Sequence, residues 1–273
     1  MHESGCFVLP NPWDVGTAKF LQHVGFRALA TTSAGVAFSR GLPDGPVPCE
    51  AMLDHIREIV GSTPLPVNAD FQDAYARDVD GVFANVAKCV ATGVAGLSIE
   101  DATGDLSAPL YDRAAAVERV KAAREAIHAS KRDVVLTARC EAALVGVADP
   151  LRVVLDRLVA FADAGADCLY APGFRDEASV AAIVKAVAPK PVNVLVSAPG
   201  FTVARLAELG ARRVSVGSAL ARVAWGAFMR AARNIAETGT FDSFDGAAKM
   251  VGALRAGAMA EGRCNGCRAR AVA

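Results

Sequence analysis

The sequence predicts an α/β fold in the form of a single (β/α)8 TIM barrel with extra C-terminal helices. Three observations predict it: short β-rich runs recur along the 273 residues, a segment with helical spacing separates successive runs, and several of these segments end on glycine. The runs are expected to be apolar on both faces, as buried parallel strands are. Eight runs are present, at 6–10, 27–32, 65–70, 96–101, 133–139, 167–172, 192–196 and 212–217.

The segments between the runs repeat apolar residues every three or four positions, which is the period of an amphipathic helix, and each gap is expected to hold one helix. Good examples are 54–60, 82–93, 115–129 and 151–166. Glycine, which most easily adopts the left-handed conformation that ends a helix, follows four of the segments, at Gly25, Gly93, Gly165 and Gly210. A doubly wound open sheet is the alternative, but no G-x-G-x-x-G or G-x-x-x-x-G-K-[ST] motif follows the first run.

Two further helices are predicted after the eighth run, at 218–239 and 244–262. One of them closes the barrel. The other is surplus, and we expect its apolar stripe to pack on a neighbouring subunit. The predicted organisation is therefore one barrel domain with C-terminal helices over 1–262 and a disordered tail over 263–273.

Composition excludes several classes of partner. The 29 basic and 29 acidic side chains cancel, so no overall field attracts nucleic acid or an anionic membrane. Seven cysteines lack the pairing of a secreted disulfide scaffold, which favours a reducing compartment. No uncharged apolar run reaches 18 residues, and no export signal opens the chain. We therefore expect a cytoplasmic protein with neither a nucleic acid nor a membrane partner.

Polar residues cluster where the predicted strands end. The C-terminal ends of all barrel strands surround one mouth, and the catalytic groups of this fold come from there. The residues expected at the mouth are Trp13, Asp14, Thr31, Thr32, Ser33, Asn68, Asp70, Glu100, Asp101, Arg139, Glu141, Tyr170, Asn193 and Ser215.

The acids on the third and fourth strands indicate a cation site. Asp70 and Glu100 lie on neighbouring strands, and carboxylate oxygens suit a hard divalent cation, with Mg²⁺ the best fit and Mn²⁺ the alternative. The competing interpretation is that both acids cap the helices that follow them. Asp44, on a loop rich in turn-forming residues, is a weaker candidate.

Two further groups are predicted to bind an anion. Arg139 follows an apolar strand, where a guanidinium is costly unless it meets a carboxylate or phosphoryl group. We favour substrate binding over pairing with Glu141 or Glu100. After the second strand, the hydroxyl of Ser33 and the amides of Ala34 and Gly35 are a candidate anion cup, although a bare loop would have the same sequence.

Six segments, taken in order, resemble the isocitrate lyase/phosphoenolpyruvate mutase superfamily over almost the whole chain. They are FVLPNPWDVGTAKFL, ALATTSAGVAFSRGLPDG, PVNADF, GLSIEDA, TARCEA and AGADCLYAPG. The resemblance implies a Mg²⁺-dependent α/β barrel that acts on 2-oxo acids or their enolates. It also implies a homotetramer built as a dimer of dimers, or a homodimer, in which a late helix is swapped between subunits.

The resemblance also implies roles for individual residues. The catalytic residues would be Arg139, Asp44 and Ser33. The substrate's acid group would be bound by Ser33, Ala34, Gly35 and Arg139, and the metal, directly or through water, by Asp70, Glu100 and Asp44. Asn193, inside the seventh strand, is a further candidate for substrate binding. Asn68 stands where many relatives carry another Asp, so the metal site is less charged here.

Two departures from the superfamily decide between its reactions. The lyases carry a Lys-Lys-Cys-Gly-His or Lys-Arg-Cys-Gly-His loop after the fourth strand and the mutases carry Lys and Asn, whereas residues 102–112 contain none of Lys, Cys, His or Asn. After strand six, Pro172 replaces the Glu of the lyases and the His of the mutases. A reaction that needs only the stabilisation of an enolate does not depend on the loop residues or the Glu or His that are missing here.

The leading hypothesis is a Mg²⁺-dependent carbon–carbon lyase acting on a small 2-oxo or 2-hydroxy dicarboxylic acid, with oxaloacetate decarboxylation as the first case. The first alternative is a phosphonopyruvate hydrolase or a phosphoenolpyruvate or carboxyphosphonoenolpyruvate phosphonomutase. The second alternative is a binder of 2-oxo acids without catalytic activity.

Overall fold

The computed structural model describes residues 1–244 and residue 247. Eight parallel strands form one sheet in the order β1-β8-β7-β6-β5-β4-β3-β2, which confirms the predicted (β/α)8 barrel. Each strand lies within one of the predicted runs. Their bounds are Phe7–Leu9 (β1), Leu29–Ala30 (β2), Val67–Asp70 (β3), Gly96–Glu100 (β4), Val135–Arg139 (β5), Cys168–Tyr170 (β6), Val192–Leu195 (β7) and Arg213–Ser215 (β8).

The barrel closes through two different contacts. Strand β1 pairs with β8, with Phe7 opposite Arg213. Between β1 and β2 the link is a single backbone hydrogen bond, in which the amide of Ala30 donates to the carbonyl of Pro10 at 3.0 Å. The sheet is therefore a nearly closed barrel.

Nine α-helices surround the described barrel. They are Val15–Val24 (α1), Ser33–Ser39 (α2), Cys49–Ser62 (α3), Val79–Ala91 (α4), Arg113–Ser130 (α5), Pro150–Asp163 (α6), Glu177–Val187 (α7), Val203–Glu208 (α8) and Ala219–Thr238 (α9). The last of them confirms the helix predicted at 218–239. The second predicted helix, at 244–262, and the tail at 263–273 lie outside the described residues, apart from Phe244 and Ala247, so the swapped helix stays a prediction.

The expectation of one helix per gap is wrong between β2 and β3, which are separated by both α2 and α3. The short α2 begins directly after β2, because the hydroxyl of Thr32 accepts a hydrogen bond from the amide of Gly35 at 3.2 Å and caps it. The segment 40–48, exposed apart from Val47, then crosses to α3, with Pro48 at the position before that helix. This segment carries Asp44.

The glycines predicted to end helices adopt the expected conformation. Their φ values are 101° at Gly25, 100° at Gly93, 104° at Gly165 and 92° at Gly210. Each is followed closely by a strand, so these tight turns fix where β2, β4, β6 and β8 enter the barrel.

Alternating side chains divide each strand between two environments. In β4, Leu97 and Ile99 are buried against the helices, whereas Ser98 and Glu100 line a cavity inside the barrel. In β5, Leu136 likewise faces the outer core. The expectation that both strand faces are apolar therefore holds for the outer face and is wrong for the inner one, which carries polar groups because a cavity opens there. No described helix is long and apolar enough to cross a membrane.

One buried histidine makes the stability of the fold depend on pH. His55 of α3 is 7% exposed, and its Nε2 has no hydrogen-bond partner among the described residues. Burial, assisted by the charge of Arg40 and opposed by Asp14, lowers its pKa from 6.5 to about 4. The unfolded chain therefore takes up this proton near pH 6.5 and the folded chain near pH 4, so stability falls as the pH falls through that interval.

We predict that His55→Leu removes part of this pH dependence. The wild type should lose about 2 kcal/mol more than the variant between about pH 7.5 and about pH 5, measured by urea unfolding. The exposed His128→Gln variant is the control and should keep the wild-type difference. The same loss of stability in wild type and His55→Leu would contradict this assignment.

Candidate active site

A cavity of about 460 Å³ opens at the C-terminal ends of the strands and receives residues from all eight of them. Most of the residues predicted at the mouth line it. The lining residues on the strands and next to them include Leu9, Thr31, Thr32, Ser33, Asn68, Asp70, Ser98, Glu100, Arg139, Glu141, Tyr170, Asn193, Arg213 and Ser215. Asp101 does not line it. Its carboxylate turns away and pairs with Arg157 at 2.9 Å.

The guanidinium of Arg139 forms ion pairs with three carboxylates at the mouth. Its Nη1 lies 2.8 Å from Oδ1 of Asp70 and 3.1 Å from Oε2 of Glu100, and its Nη2 lies 2.9 Å from Oε1 of Glu141. The register explains the meeting, because Glu100 is directly opposite Arg139 in the β4–β5 pair. The two acids that the sequence placed at separate strand ends therefore meet through one arginine.

The alternative in which Asp70 and Glu100 cap helices is wrong. Helix α4 is capped by Asp78, whose carboxylate accepts from the amide of Gly81 at 2.7 Å. Helix α5 is capped by Asp112, which accepts from the amide of Ala114 at 3.0 Å. Neither acid caps the helix that follows it in the chain, and both line the cavity.

The mouth carries more negative than positive charge. Burial raises the pKa of Glu100 well above its usual value; Arg139 opposes this, and the charges of Glu141 and Asp70 add to it. Burial also raises the pKa of Glu141. For Arg139 burial lowers the pKa, but Glu100, Glu141 and Asp70 together raise it well above its usual value.

Asp44 adds a fourth carboxylate to this group. Its Oδ1 lies 3.4 Å from the hydroxyl oxygen of Ser33, and partial desolvation together with the charge of Asp70 raises the pKa of Asp44. Four carboxylates thus face a single arginine at the mouth, so the cluster is short of positive charge.

This surplus of negative charge fits a divalent cation. Hard oxygen donors from Asp70, Glu100 and Asp44 border the cavity, and a cation would offset the charge that raises the pKa of Glu100. In the described part of the chain, however, no three His, Cys, Asp or Glu side chains converge as ligands, because Arg139 occupies the space between Asp70 and Glu100. The donor set is suitable, and Arg139 competes with a cation for it.

Two groups of the predicted anion cup are already bonded. The amide and the hydroxyl of Ser33 both donate to Oδ2 of Asp70 at 2.9 Å. The amide of Gly35 is taken by the cap on Thr32. Ala34 lines the cavity. In this structure Ser33 orients Asp70, and the role of the cup in binding a substrate stays a prediction.

Arg213 is a site residue that the sequence analysis missed. It is 4% exposed and reaches into the cavity from the start of β8. Its Nε donates to Oδ1 of Asn193 at 2.9 Å, and Asn193 in turn donates to the hydroxyl of Ser215 at 2.9 Å. Asn193, predicted to touch substrate, therefore holds this arginine. The sequence does contain a signal for Arg213, because Arg213 and Ser215 are two polar residues on the same face of one strand.

Two more features shape the mouth. The ring of Tyr170 stands 5.0 Å from the guanidinium carbon of Arg139, and burial raises the pKa of its hydroxyl to about 12. The 102–112 segment forms a hairpin-like loop, with Ala102 bridged to Leu110, and its Gly104 lines the cavity.

The backbone after β3 is strained beside the site. Three residues without the freedom of glycine have positive φ there: 44° at Gln72, 60° at Ala74 and 52° at Tyr75. Gln72 also lines the cavity. Strain of this kind persists where the surrounding structure imposes it, and it collects at functional sites.

Comparison with known proteins identifies the family. The model of the family described as phosphoenolpyruvate phosphomutase matches residues 1–236. A solved structure from Burkholderia cenocepacia J2315, described as a lyase/mutase, has a TM-score of 0.92 and 45% identity, covering 96% of this chain and 95% of its own. An uncharacterized protein of Mycobacterium tuberculosis (strain ATCC 25618 / H37Rv) is 32% identical over 217 residues, 80% of each chain.

A solved oxaloacetate acetylhydrolase, in complex with its product oxalate, has a TM-score of 0.79 and 26% identity and covers 93% of both chains. These matches agree with the superfamily that the sequence motifs resemble. The chain belongs to the phosphoenolpyruvate phosphomutase family, within the isocitrate lyase/phosphoenolpyruvate mutase superfamily of lyases and mutases.

Proposed function

We propose that the protein is a Mg²⁺-dependent carbon–carbon lyase that acts on a small 2-oxo or 2-hydroxy dicarboxylic acid through an enolate, with oxaloacetate decarboxylation as the leading case. The observation that carries the proposal is the cluster of Asp70, Glu100, Glu141 and Asp44 around Arg139, facing a cavity whose neighbouring loop holds no Lys, Cys or His. This mouth is suited to stabilising charge, and the loop beside it lacks the Lys, Cys and His that would move a proton.

A divalent cation is the component that the donor set supports. Members of this superfamily depend on one, and the acids Asp70, Glu100 and Asp44 would hold it. When bound, it supplies positive charge for the keto and carboxylate oxygens of the substrate and stabilises the negative charge that develops on them. The binding of Mg²⁺ rather than another divalent ion is part of the proposal.

The chain's own residues then have limited tasks. Arg139 is held by three carboxylates and by the ring of Tyr170, so its charge is fixed in place before a substrate arrives. Decarboxylation of oxaloacetate breaks one carbon–carbon bond and leaves carbon dioxide and the enolate of pyruvate. Residues 102–112 provide no Lys, Cys or His, and the proposal takes water as the source of the proton that the enolate gains.

The cavity supports a small substrate. A volume of about 460 Å³ falls in the lower part of the range for ligand sites, and its lining is rich in hydroxyl, amide and charged groups. Oxaloacetate is the substrate that the name of the structurally similar acetylhydrolase states, and that enzyme releases oxalate. Hydrolysis to oxalate and acetate is therefore the first reaction to distinguish from decarboxylation.

The second candidate function is phosphonate chemistry, because the matching family model is that of a phosphomutase. Against it, residues 102–112 contain neither the Lys nor the Asn that the mutases carry there, and Pro172 replaces their His after strand six. Phosphorus NMR of the protein mixed with phosphonopyruvate distinguishes the two reactions. A hydrolase releases free phosphate, whereas a mutase isomerises the substrate to phosphoenolpyruvate. A binder without activity would be stabilised against heat by 2-oxoglutarate or oxalate and would convert none of a substrate panel.

The first test is product release from oxaloacetate, followed by proton NMR so that pyruvate, oxalate and acetate are seen together. We expect pyruvate in the presence of Mg²⁺, loss of the reaction in EDTA, and a rate about 10² to 10³ lower in Asp70→Asn and Glu100→Gln, since each removes charge from the proposed cation site. The exposed Asp163→Asn variant, on the outer surface, is the control and should keep the wild-type rate. Equal rates in EDTA and in all variants would end the proposal.

The second test asks whether a cation and Arg139 share the same acids. Arg139→Gln leaves buried carboxylates without their partner, so in EDTA the free energy of unfolding should fall by about 3–5 kcal/mol. Mg²⁺ should restore part of this loss and raise the melting temperature more in the variant than in the wild type. Differential scanning calorimetry with and without Mg²⁺ measures both effects.

Arg157→Gln is the matched control for that test. It also breaks a buried arginine–carboxylate pair, with Asp101, but that pair lies outside the cavity. Its loss of stability should not be restored by Mg²⁺. If the two variants respond equally to Mg²⁺, the acids around Arg139 are not a cation site.

A further inference from the structure

A second guanidinium lies beneath the acidic mouth and has no acid of its own. Arg213 donates through Nη2 to the hydroxyl of Thr137 at 3.0 Å, through Nε to Asn193 at 2.9 Å and, more weakly, through Nη1 to Asn68 at 3.4 Å. All three partners are neutral, and Arg213 forms no salt bridge within the described part of the chain. Burying an unpaired charge in this way is unfavourable unless a ligand compensates it.

The position of Arg213 follows from the period of the strands. Thr137 and Arg139 are two residues apart on β5, and Asn68 and Asp70 are two residues apart on β3, so each pair points into the barrel from successive layers. Because two residues span about 6.6 Å along a strand, the partners of Arg213 lie one layer below the partners of Arg139. The cavity reaches both layers, since Arg139 and Arg213 both line it.

The two arginines that line the cavity differ in what surrounds them. An incoming carboxylate is repelled at Arg139 by Asp70, Glu100 and Glu141, which already occupy its N–H groups. At Arg213 it meets no like charge from the residues bonded there. A guanidinium has five N–H hydrogens and Arg213 uses three of them, so two remain for a ligand.

We propose that Arg213 binds a carboxylate of the substrate at the floor of the cavity and is the residue that selects acids with a second carboxylate. The inference rests on the proposed function in taking the ligand to be a small 2-oxo or 2-hydroxy acid. Asn193 and Thr137 orient the guanidinium, and Ser215 fixes Asn193. The acidic mouth is left for the cation and for the other end of the substrate.

The test compares two ligands that differ only in the second carboxylate. L-malate and (S)-2-hydroxybutyrate have the same chain length and the same hydroxyl group, but a methyl group replaces one carboxylate in the latter. Isothermal titration calorimetry of the full chain, in Mg²⁺ and again in EDTA, measures both affinities. We expect the wild type to bind L-malate about 10- to 100-fold more tightly. This is the effect of one buried, charge-assisted hydrogen bond between the second carboxylate and Arg213.

Arg213→Gln should remove this preference and bind the two ligands about equally. Arg132→Gln is the matched control, because Arg132 is bound to the carbonyl of Val90 outside the cavity, and it should keep the wild-type ratio. If Arg213→Gln does not unfold cooperatively, Arg213→Lys replaces it. Lysine keeps the charge but cannot keep three neutral partners and bind the ligand as well, so the ratio should fall severalfold.

Three results overturn the inference: no preference in the wild type, an unchanged preference in Arg213→Gln, or an unchanged preference in Arg213→Lys where that variant is used. Failure of the proposed function gives a different result. If L-malate is preferred through Arg213 but oxaloacetate is not converted, the lyase proposal fails and the role of Arg213 stands. If oxaloacetate is converted and the preference survives Arg213→Gln, only the inference about Arg213 fails.

Discussion

The arrangement of the mouth depends on one ion-pair cluster, that of Arg139 with Asp70, Glu100 and Glu141. These acids come from β3, β4 and the second residue after β5, and each is largely buried, with side-chain exposures of 17%, 16% and 7%. Without a central cation, three carboxylates at this distance could not all stay ionised. The guanidinium therefore fixes the relative positions of three strand ends, and Ser33 extends the same network to the second strand through Asp70.

The same cluster limits the chemistry available at the mouth. A guanidinium whose donors are occupied by carboxylates provides a fixed charge, but it has little capacity left to bind an anion. A ligand carboxylate must then be bound elsewhere or through a cation. The two-layer arrangement of the barrel interior meets this need, because the acids and the unpaired arginine occupy different depths of one cavity. Charge is thus ordered along the barrel axis, negative at the mouth and positive at the floor.

The sequence predicted most of the barrel and part of the site, for identifiable physical reasons. The eight strands were found because parallel strands bury their outer faces, and the convergence of Asp70, Glu100 and Arg139 follows from parallel strands sharing one edge. The partners of Arg139 were left open, because they depend on the register that sets Glu100 opposite it. Helix α2 was missed because its small residues, from Ser33 to Ser39, give no apolar period. Arg213 was missed because it stands at the start of β8, away from its C-terminal end, although Asn68-x-Asp70 and Thr137-x-Arg139 show the same inward period.

The orientation of a bound substrate follows from this order of charge. In a four-carbon 2-oxo dicarboxylic acid, the carboxylate that the floor arginine binds is held away from the acids, and the keto group at the other end lies among the donors suited to a cation. Negative charge that develops during bond cleavage then appears near the cation and Arg139, where it is stabilised most, and not at the floor, where the charge is already paired. A monocarboxylic acid has no group to fix this direction, so it can lie either way and only part of its bound population is productive. The lower layer would then contribute by fixing which end of the substrate meets the cation. In decarboxylation it must also release the carboxylate that it holds, because that group leaves as carbon dioxide, whereas in hydrolysis to oxalate and acetate the same carboxylate stays on the product.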